Sequence, residues 1–130
     1  MPRAGFAQAD GSGLSRNNRA TARQIVALLE AVYRTSPDVR EAFFGSLAVA
    51  GRTGTLEDRL AGTPAEGRVS AKTGWIEGAS ALSGVAHAPG GRDVLFSMLV
   101  AYPREQGGLN KYVFKPMLDE LVLVLFEDPP

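Results

Sequence analysis

Residues 94–101 form a nearly continuous apolar run in which Ser97 is the only polar residue. A short apolar run bounded by turn residues is typical of a strand that is buried on both faces. The run therefore predicts a β-strand at the centre of a sheet.

Two other segments, residues 68–73 and residues 79–87, also have strand character. The second is separated from the apolar run by Ala88-Pro89-Gly90-Gly91-Arg92, which is rich in turn formers. A connection this short joins antiparallel strands. We therefore expect a sheet of at least three strands that is at least partly antiparallel.

Two helices are predicted before the strands. Thr21 and Gln24 have the spacing of a capping box, and the apolar residues that follow recur at helical intervals. These residues are Ile25, Leu28, Leu29, Val32 and Tyr33. We expect a helix over residues 21–34 and then a short helix that begins after Ser36 and ends at Gly45.

The segment between the helices and the strands is rich in glycine, with glycines at positions 45, 51, 54, 62 and 67. Only residues 56–60 have helical character. We expect this stretch to be a mostly irregular connector at the surface.

The C-terminal segment predicts a helix that lies on the sheet, with Pro116 in its first turn or at a kink. Its helically spaced apolar residues are Phe114, Met117, Leu118, Leu121, Val122 and Leu125. By residue type, a buried strand over residues 121–126 is the alternative. The order of elements predicts a layered α+β fold, with residues 1–130 as a single unit.

The composition excludes several functional classes. Acidic and basic residues are equal in number, so no basic surface for nucleic acid or an anionic membrane is expected. No apolar stretch approaches the ~20 residues of a transmembrane helix, and no segment has the pattern of an export signal. With no cysteine and a single histidine, the chain is not expected to form disulfides or to hold a structural zinc ion.

Two triplets are candidates for a catalytic site. Ser15-Arg16-Asn17 is an S-x-N triplet, and Lys72-Thr73-Gly74 is a K-T-G triplet at a predicted strand end. Each is short enough to occur by chance. The first also suits local backbone bonding beside a helix start, and the second suits an exposed strand end with a turn glycine.

The two triplets become specific when they are taken together with the residues around them. Three stretches occur in a fixed order: residues 10–17, residues 50–60 and residues 67–74. Together they closely resemble the low-molecular-mass class C penicillin-binding proteins, which are serine D-alanyl-D-alanine carboxypeptidases and endopeptidases of the penicillin-binding protein 4 type. The resemblance extends over about residues 9–101. It implies a partial penicillin-binding, β-lactamase-like transpeptidase fold, of which this chain is the C-terminal portion.

The resemblance also implies catalytic roles. Ser15 would be a proton-relay hydroxyl near the leaving amine, and Asn17 would bind the backbone amide of the substrate. Lys72 would supply positive charge to the proton network. These assignments come from the family's motifs and not from spacing alone.

The residues after Lys72 would bind the substrate. Thr73 would hydrogen-bond the terminal carboxylate of D-alanine, and Gly74 would let the strand backbone approach the ligand closely. The backbone N–H of Trp75 would be one of two oxyanion donors. Trp75 stands where the family usually has a small or hydroxyl residue, which would narrow the cleft or stack on a substrate ring.

The family's S-x-x-K motif, which contains the nucleophile, is absent: no serine lies three residues before Lys72, Lys111 or Lys115. The chain alone is therefore expected to be inactive. The complete enzyme would cleave D-alanine from peptidoglycan stem peptides through an acyl-serine intermediate, would be acylated by β-lactams, and would need no cofactor. It would act outside the cytoplasmic membrane, in the periplasm or the extracytoplasmic cell envelope.

Two alternatives remain open. The chain could be a non-catalytic structural piece or peptidoglycan-peptide-binding remnant, or it could be one half of a two-chain enzyme. An uncovered edge of the strand over residues 94–101 would favour a homo-oligomer or pairing with a missing N-terminal half. His87 is expected to be a partly exposed strand residue with no partner identifiable from sequence, and Glu57-Asp58 a solvated pair.

Overall fold

The structure is a computed structural model that describes residues 5–104 and 108–127. It contains three α-helices and a four-stranded sheet within these residues. In chain order the elements are α1 (Ala22–Tyr33), α2 (Pro37–Gly45), β1 (Ala48–Val49), β2 (Val69–Ile76), β3 (Ala79–Ala88), β4 (Arg92–Ala101) and α3 (Lys115–Leu123). A π-helical turn over Asn110–Phe114 precedes α3, and a 3-10 turn over Val124–Phe126 follows it.

The sheet has the order β1-β2-β3-β4, and all its strand pairs are antiparallel. The predicted α+β class and the meander of three long strands are therefore confirmed. The prediction that residues 94–101 form the central strand is wrong: within the described residues, β4 pairs only with β3 and lies at the edge. Six of the ten residues of β3 are buried, whereas Phe96 is the only buried residue of β4.

The two faces of the sheet are covered by different helices. Successive side chains of a strand point to opposite faces, so Phe96 and Leu99 of β4 face opposite ways. Phe96 belongs to a core with Leu118 and Val122 of α3, while Leu99 lines a hollow with Ile25 of α1. Helix α1 therefore packs on one face of the sheet and α3 on the other.

The helix predictions are confirmed. The Thr21 hydroxyl accepts from the Gln24 backbone N–H at 3.2 Å, and the Gln24 side chain accepts from the Thr21 backbone N–H at 2.9 Å. Pro37 occupies the first turn of α2, although Ser36 makes no side-chain cap bond. Pro116 lies in the first turn of α3, so the alternative of a strand over residues 121–126 is wrong.

The predicted connector over residues 45–67 is more ordered than the sequence indicates. Its strand β1 pairs with β2, with Ala48 opposite Ala71. Ala50, Leu56 and Ala65 are fully buried, so parts of this stretch join the core, while most of its residues are exposed or half-buried and lie in turns, as predicted. A two-residue strand is too short to show a periodic pattern, which explains why the sequence did not predict it.

Candidate functional site

The S-x-N triplet lies in a loop, residues 7–19, that is organised around Asp10. The Asp10 carboxylate accepts from the Ser12 hydroxyl at 2.8 Å and from the backbone N–H groups of Gly13 and Ser15 at 3.0 and 2.8 Å. It also accepts from the Asn18 side-chain amide at 2.8 Å. The Asn18 bond first, and then the Ser12 bond, lower the pKa of Asp10 from 3.8 to about 2. The hydrogen bonds of the loop thus favour the charged form of the Asp10 carboxylate.

Asn18 closes the same loop from the other side. Its side-chain oxygen accepts from the Ala9 backbone N–H at 2.8 Å, and the Ala7 and Arg19 backbones exchange two hydrogen bonds at 2.9 and 2.8 Å. The organising roles of Asp10 and Asn18 are not evident from the sequence. The available signal was the turn-forming cluster around Asp10, since Asp side chains commonly bond backbone N–H groups a few residues further on.

The K-T-G triplet lies within β2. Lys72 is opposite Ser83 of β3, which is opposite Ser97 of β4, and the two serine hydroxyls are 2.9 Å apart. The Lys72 ammonium is exposed and donates to the Thr73 carbonyl at 2.5 Å. The Thr73 hydroxyl donates to the Thr55 hydroxyl at 2.9 Å. The Lys72 ammonium and the Thr73 hydroxyl are therefore both exposed on β2.

Trp75 continues β2 beyond the triplet and is 62% exposed. Its indole N–H donates to the Tyr102 hydroxyl at 3.1 Å, and the Tyr102 ring stacks on Phe114 with 4.7 Å between centroids. The indole therefore has a fixed orientation and leans toward the C-terminal segment. A ring held in this way stays exposed at the mouth of the site.

The loop and β2 face each other across a cleft of about 700 Å³, lined by residues 10–14 on one side and by residues 72–76 on the other. A hollow of about 560 Å³ adjoins it and is lined by Ser15, Arg16 and Glu77. The Ser15 hydroxyl accepts from the Asn17 backbone N–H at 3.2 Å. Ser15 and Lys72 each bond to near neighbours in sequence, and the hydrogen-bond network predicted to join them stays a prediction.

His87, for which the sequence indicated no partner, has one in the structure. Its Nδ1 lies 2.6 Å from the Asp93 carboxylate, and the Tyr33 hydroxyl donates to the other carboxylate oxygen at 2.6 Å. Across residues 5–104 and 108–127 there is no cluster of three or more potential metal ligands. No helix in the described part of the chain is long and apolar enough to cross a membrane.

Comparison with known proteins gives a consistent result. The sequence profile of the D-Ala-D-Ala carboxypeptidase 3 (S13) family matches residues 3–113. The D-alanyl-D-alanine carboxypeptidase of Actinomadura sp. (strain R39) is 45% identical over 101 residues, which are 74% of this chain and 18% of that protein. The penicillin-sensitive carboxypeptidase A of Dictyostelium discoideum is 42% identical over 85 residues, which are 65% of this chain and 16% of that protein.

The fold is likewise found in a solved structure. The crystal structure of penicillin binding protein 4 (dacB) from Haemophilus influenzae superimposes with a TM-score of 0.81 at 27% identity. The match covers 96% of this chain and 28% of that structure. The chain thus spans less than a third of the relatives that it matches.

Proposed function

Because the chain belongs to the D-Ala-D-Ala carboxypeptidase 3 (S13) family, we propose that it supplies part of the catalytic site of a serine D-Ala-D-Ala carboxypeptidase or endopeptidase. The substrates would be peptidoglycan stem peptides. The observation that supports this most directly is the cleft of about 700 Å³ between the loop over residues 7–19 and the K-T-G strand. A carboxypeptidase must hold a short peptide between groups of this kind.

Three residues would take part in proton transfer and in holding the scissile bond. Ser15 would relay a proton to the leaving amine, and Lys72, exposed on β2, would provide positive charge to that relay. Asn17 would hydrogen-bond the substrate amide. Lys72 lines the cleft of about 700 Å³ and Ser15 lines the hollow that adjoins it, so the proton would move between these two spaces.

The residues that follow Lys72 would bind the D-alanine end of the substrate. The Thr73 hydroxyl would exchange its bond to Thr55 for a bond to the terminal carboxylate, which is a stronger acceptor. Gly74 would leave room for close approach of the ligand to the strand backbone. The backbone N–H of Trp75 would donate to the developing oxyanion.

The nucleophile of this reaction would lie outside these 130 residues, because the sequence contains no S-x-x-K. We therefore expect the chain alone to form no acyl-enzyme. In the complete enzyme the acyl-serine would be formed by the stem peptide or by a β-lactam, and the name of the penicillin-sensitive relative supports the latter. The enzyme would need no cofactor and would act outside the cytoplasmic membrane, in the periplasm or the extracytoplasmic cell envelope.

A partner would complete the site. The outer edge of β4 pairs with no other strand among the described residues, and apolar side chains remain exposed on the outer side of the C-terminal helical segment. These side chains are Val113, Met117, Leu121 and Val124. We propose that a separate N-terminal half or a second copy of the chain covers these surfaces.

The missing S-x-x-K also favours a second function, in which the chain binds stem peptides without cleaving them. Both functions predict binding, but only the first predicts turnover once a chain with S-x-x-K is added. Isothermal titration of a D-Ala-D-Ala-terminated tripeptide tests the binding that they share. Release of D-alanine after addition of the complementary half separates them.

Thr73→Val should weaken peptide binding by about tenfold, because it removes one hydrogen bond to a charged group. Thr35→Val is the matched control, since the Thr35 hydroxyl donates to the Val32 carbonyl at the end of α1, away from the cleft. Absence of binding to the unaltered chain at millimolar peptide would contradict both functions. Acylation of the isolated chain by a fluorescent penicillin, seen as a mass increase at Ser15, would contradict the proposed roles.

A further inference from the structure

Arg16, the middle residue of the S-x-N triplet, reaches the turn between β2 and β3. One of its terminal nitrogens donates to the Glu77 carbonyl at 3.0 Å, and the other lies 3.7 Å from the Glu77 carboxylate. The two residues are 61 positions apart in sequence. Arg16 therefore connects the loop over residues 7–19 to the end of the strand that contains K-T-G.

The loop's remaining hydrogen bonds stay within the loop. The bonds of Asp10 and Asn18, and the backbone pair of Ala7 with Arg19, all begin and end inside residues 7–19. Among the described residues, the Arg16 bond to Glu77 is the only hydrogen bond that joins this loop to the sheet. The loop is thus a preformed unit, and its internal bonds do not fix its distance from β2.

The other constraint on the loop is covalent. Helix α1 begins at Ala22, directly after the loop, and packs on β4. This anchors the C-terminal end of the loop, while Arg16 anchors its middle. Two separated anchors define an orientation, whereas α1 alone would leave the loop free to swing toward or away from the cleft.

Arg16 contacts a turn that is itself held in place. The Tyr102 backbone N–H donates to the Gly78 carbonyl at 2.9 Å, so the turn is bonded from the β4 side as well. Glu77 follows Trp75 by two residues and comes directly after β2 ends at Ile76. A shift of the loop relative to Glu77 is therefore a shift relative to Lys72 and Thr73.

The contact is suited to setting a position rather than to stabilising the fold. The side chains of Arg16 and Glu77 are 42% and 65% exposed, and ion pairs this exposed are screened by salt and add little to stability. The bond to the Glu77 carbonyl does not depend on the carboxylate. We propose that Arg16 is a positioning residue that sets the distance between the loop with the S-x-N triplet and the strand with the K-T-G triplet. That this distance matters for catalysis rests on the proposed function. Misplacement by about 1 Å can reduce a reaction rate by about 100-fold.

Backbone ¹⁵N relaxation of the full chain tests the proposal without any substrate. In Arg16→Ala the order parameters of the Gly11, Ser15 and Asn17 amides should fall below the value of about 0.85 that is typical of rigid backbone, because the loop as a whole gains freedom relative to the sheet. Arg16→Lys should recover most of this order, since a lysine can still donate to the carbonyl. Glu77→Gln should behave like the unaltered chain, because it keeps the backbone acceptor.

Two controls accompany the relaxation measurement. Arg34→Ala removes a more exposed arginine whose partner, Glu30, lies one helical turn away in α1, and it should leave the loop unchanged. The pKa of Asp10, about 2, should persist in Arg16→Ala because the bonds that lower it lie inside the loop. Unchanged loop order in Arg16→Ala would overturn the proposal. So would a return of the Asp10 pKa to its ordinary value, because Arg16 would then maintain the loop's own structure.

Peptide titration links the position to binding. The affinity for a D-Ala-D-Ala-terminated tripeptide should fall about tenfold in Arg16→Ala and recover to within about threefold in Arg16→Lys. Weaker binding with unchanged loop order would make Arg16 a ligand contact and would refute the positioning role. If the unaltered chain binds no peptide, the proposed function fails, while the relaxation data still decide whether Arg16 positions the loop.

Discussion

Asp93 lies near the start of β4, at the end of the β3–β4 hairpin that is far from the Gly78 turn. Its carboxylate contacts two side chains that come from two other elements. It accepts a hydrogen bond from Tyr33 of α1 and contacts His87 of β3. The Tyr33 bond first, and then the His87 bond, lower the pKa of Asp93. The bond to Asp93 raises the pKa of Tyr33, since the phenol must stay protonated to donate. This cluster therefore ties α1 to the β3–β4 hairpin through one charged and one neutral group.

Tyr33→Phe should lower the free energy of unfolding by about 1 kcal/mol at neutral pH, as expected for one partly exposed hydrogen bond to a carboxylate. Asp93 has a lowered pKa, so its contribution is present above about pH 4 and is lost as the pH falls further. Tyr33 has a raised pKa, so its contribution is present below about pH 10 and is lost above it. Urea unfolding of both proteins at several pH values measures the difference.

Tyr112→Phe is the control for this measurement, because it removes a hydroxyl from a residue that is 73% exposed. It should change the unfolding free energy little at any pH. A Tyr33→Phe effect that is equally large at pH 2.5 and pH 7 would show that the loss comes from packing and not from the bond to a charged Asp93.

The residues of the candidate site differ in how far the sequence could predict them. Lys72 and Thr73 belong to a contiguous triplet, so they can be recognised in the sequence alone. The organising roles of Asp10 and Asn18 depend on a loop that closes over eight residues, and the contact of Arg16 with Glu77 spans 61. Such contacts form only when the chain is folded, and a single sequence does not contain them.

At the scale of elements, a single arginine holds the connector to α3. Arg59 donates to the Asp119 carboxylate through two nitrogens, at 3.1 and 2.7 Å. The two side chains are only 12% and 21% exposed, and the Arg59 backbone also accepts from the Gly51 N–H at 2.8 Å. The pair therefore joins a segment with little regular structure to the helix that covers the sheet.

Asp119→Ala should destabilise the chain by about 2 kcal/mol, because it leaves a largely buried guanidinium without its carboxylate. Arg34→Ala, which breaks an exposed pair one helical turn apart, should cost less than about 0.5 kcal/mol. Chemical unfolding of Asp119→Ala, of Arg59→Met and of the double variant measures the coupling. If Asp119→Ala costs no more than Arg34→Ala, the pair does not hold the connector in place.

Elements that are marked by residues close together in sequence were predicted correctly. The position of an element relative to distant segments was not. The Thr21 capping box and the first-turn prolines of α2 and α3 marked helices because each acts within one turn. The apolar residues of β4 indicated a strand but not its place in the sheet. Apolar side chains show that a surface needs cover, and they do not show which element provides it.

At the scale of the whole molecule, the sheet is covered unequally. Helices α1 and α3 pack on its two faces, yet the outer edge of β4 has no strand partner among residues 5–104 and 108–127. Leu99 of β4 is 44% exposed and Leu121 of α3 is 49% exposed. Leu99 faces the side of the sheet that α1 covers, whereas Leu121 lies on α3 over the other face, so exposed apolar side chains are found on both sides of the sheet.

We expect the isolated chain to associate with itself through the outer edge of β4. Unpaired edges recruit further strands, and exposed apolar patches drive association. Light scattering at micromolar concentration should give at least the mass of a dimer, and the amides of residues 94–101 should become more protected from hydrogen exchange as concentration rises. Leu99→Lys should shift the equilibrium toward monomer by at least about tenfold. Val39→Lys, at a residue of α2 that is 52% exposed, should not. A monomer with those amides already protected would mean that the chain covers the edge itself.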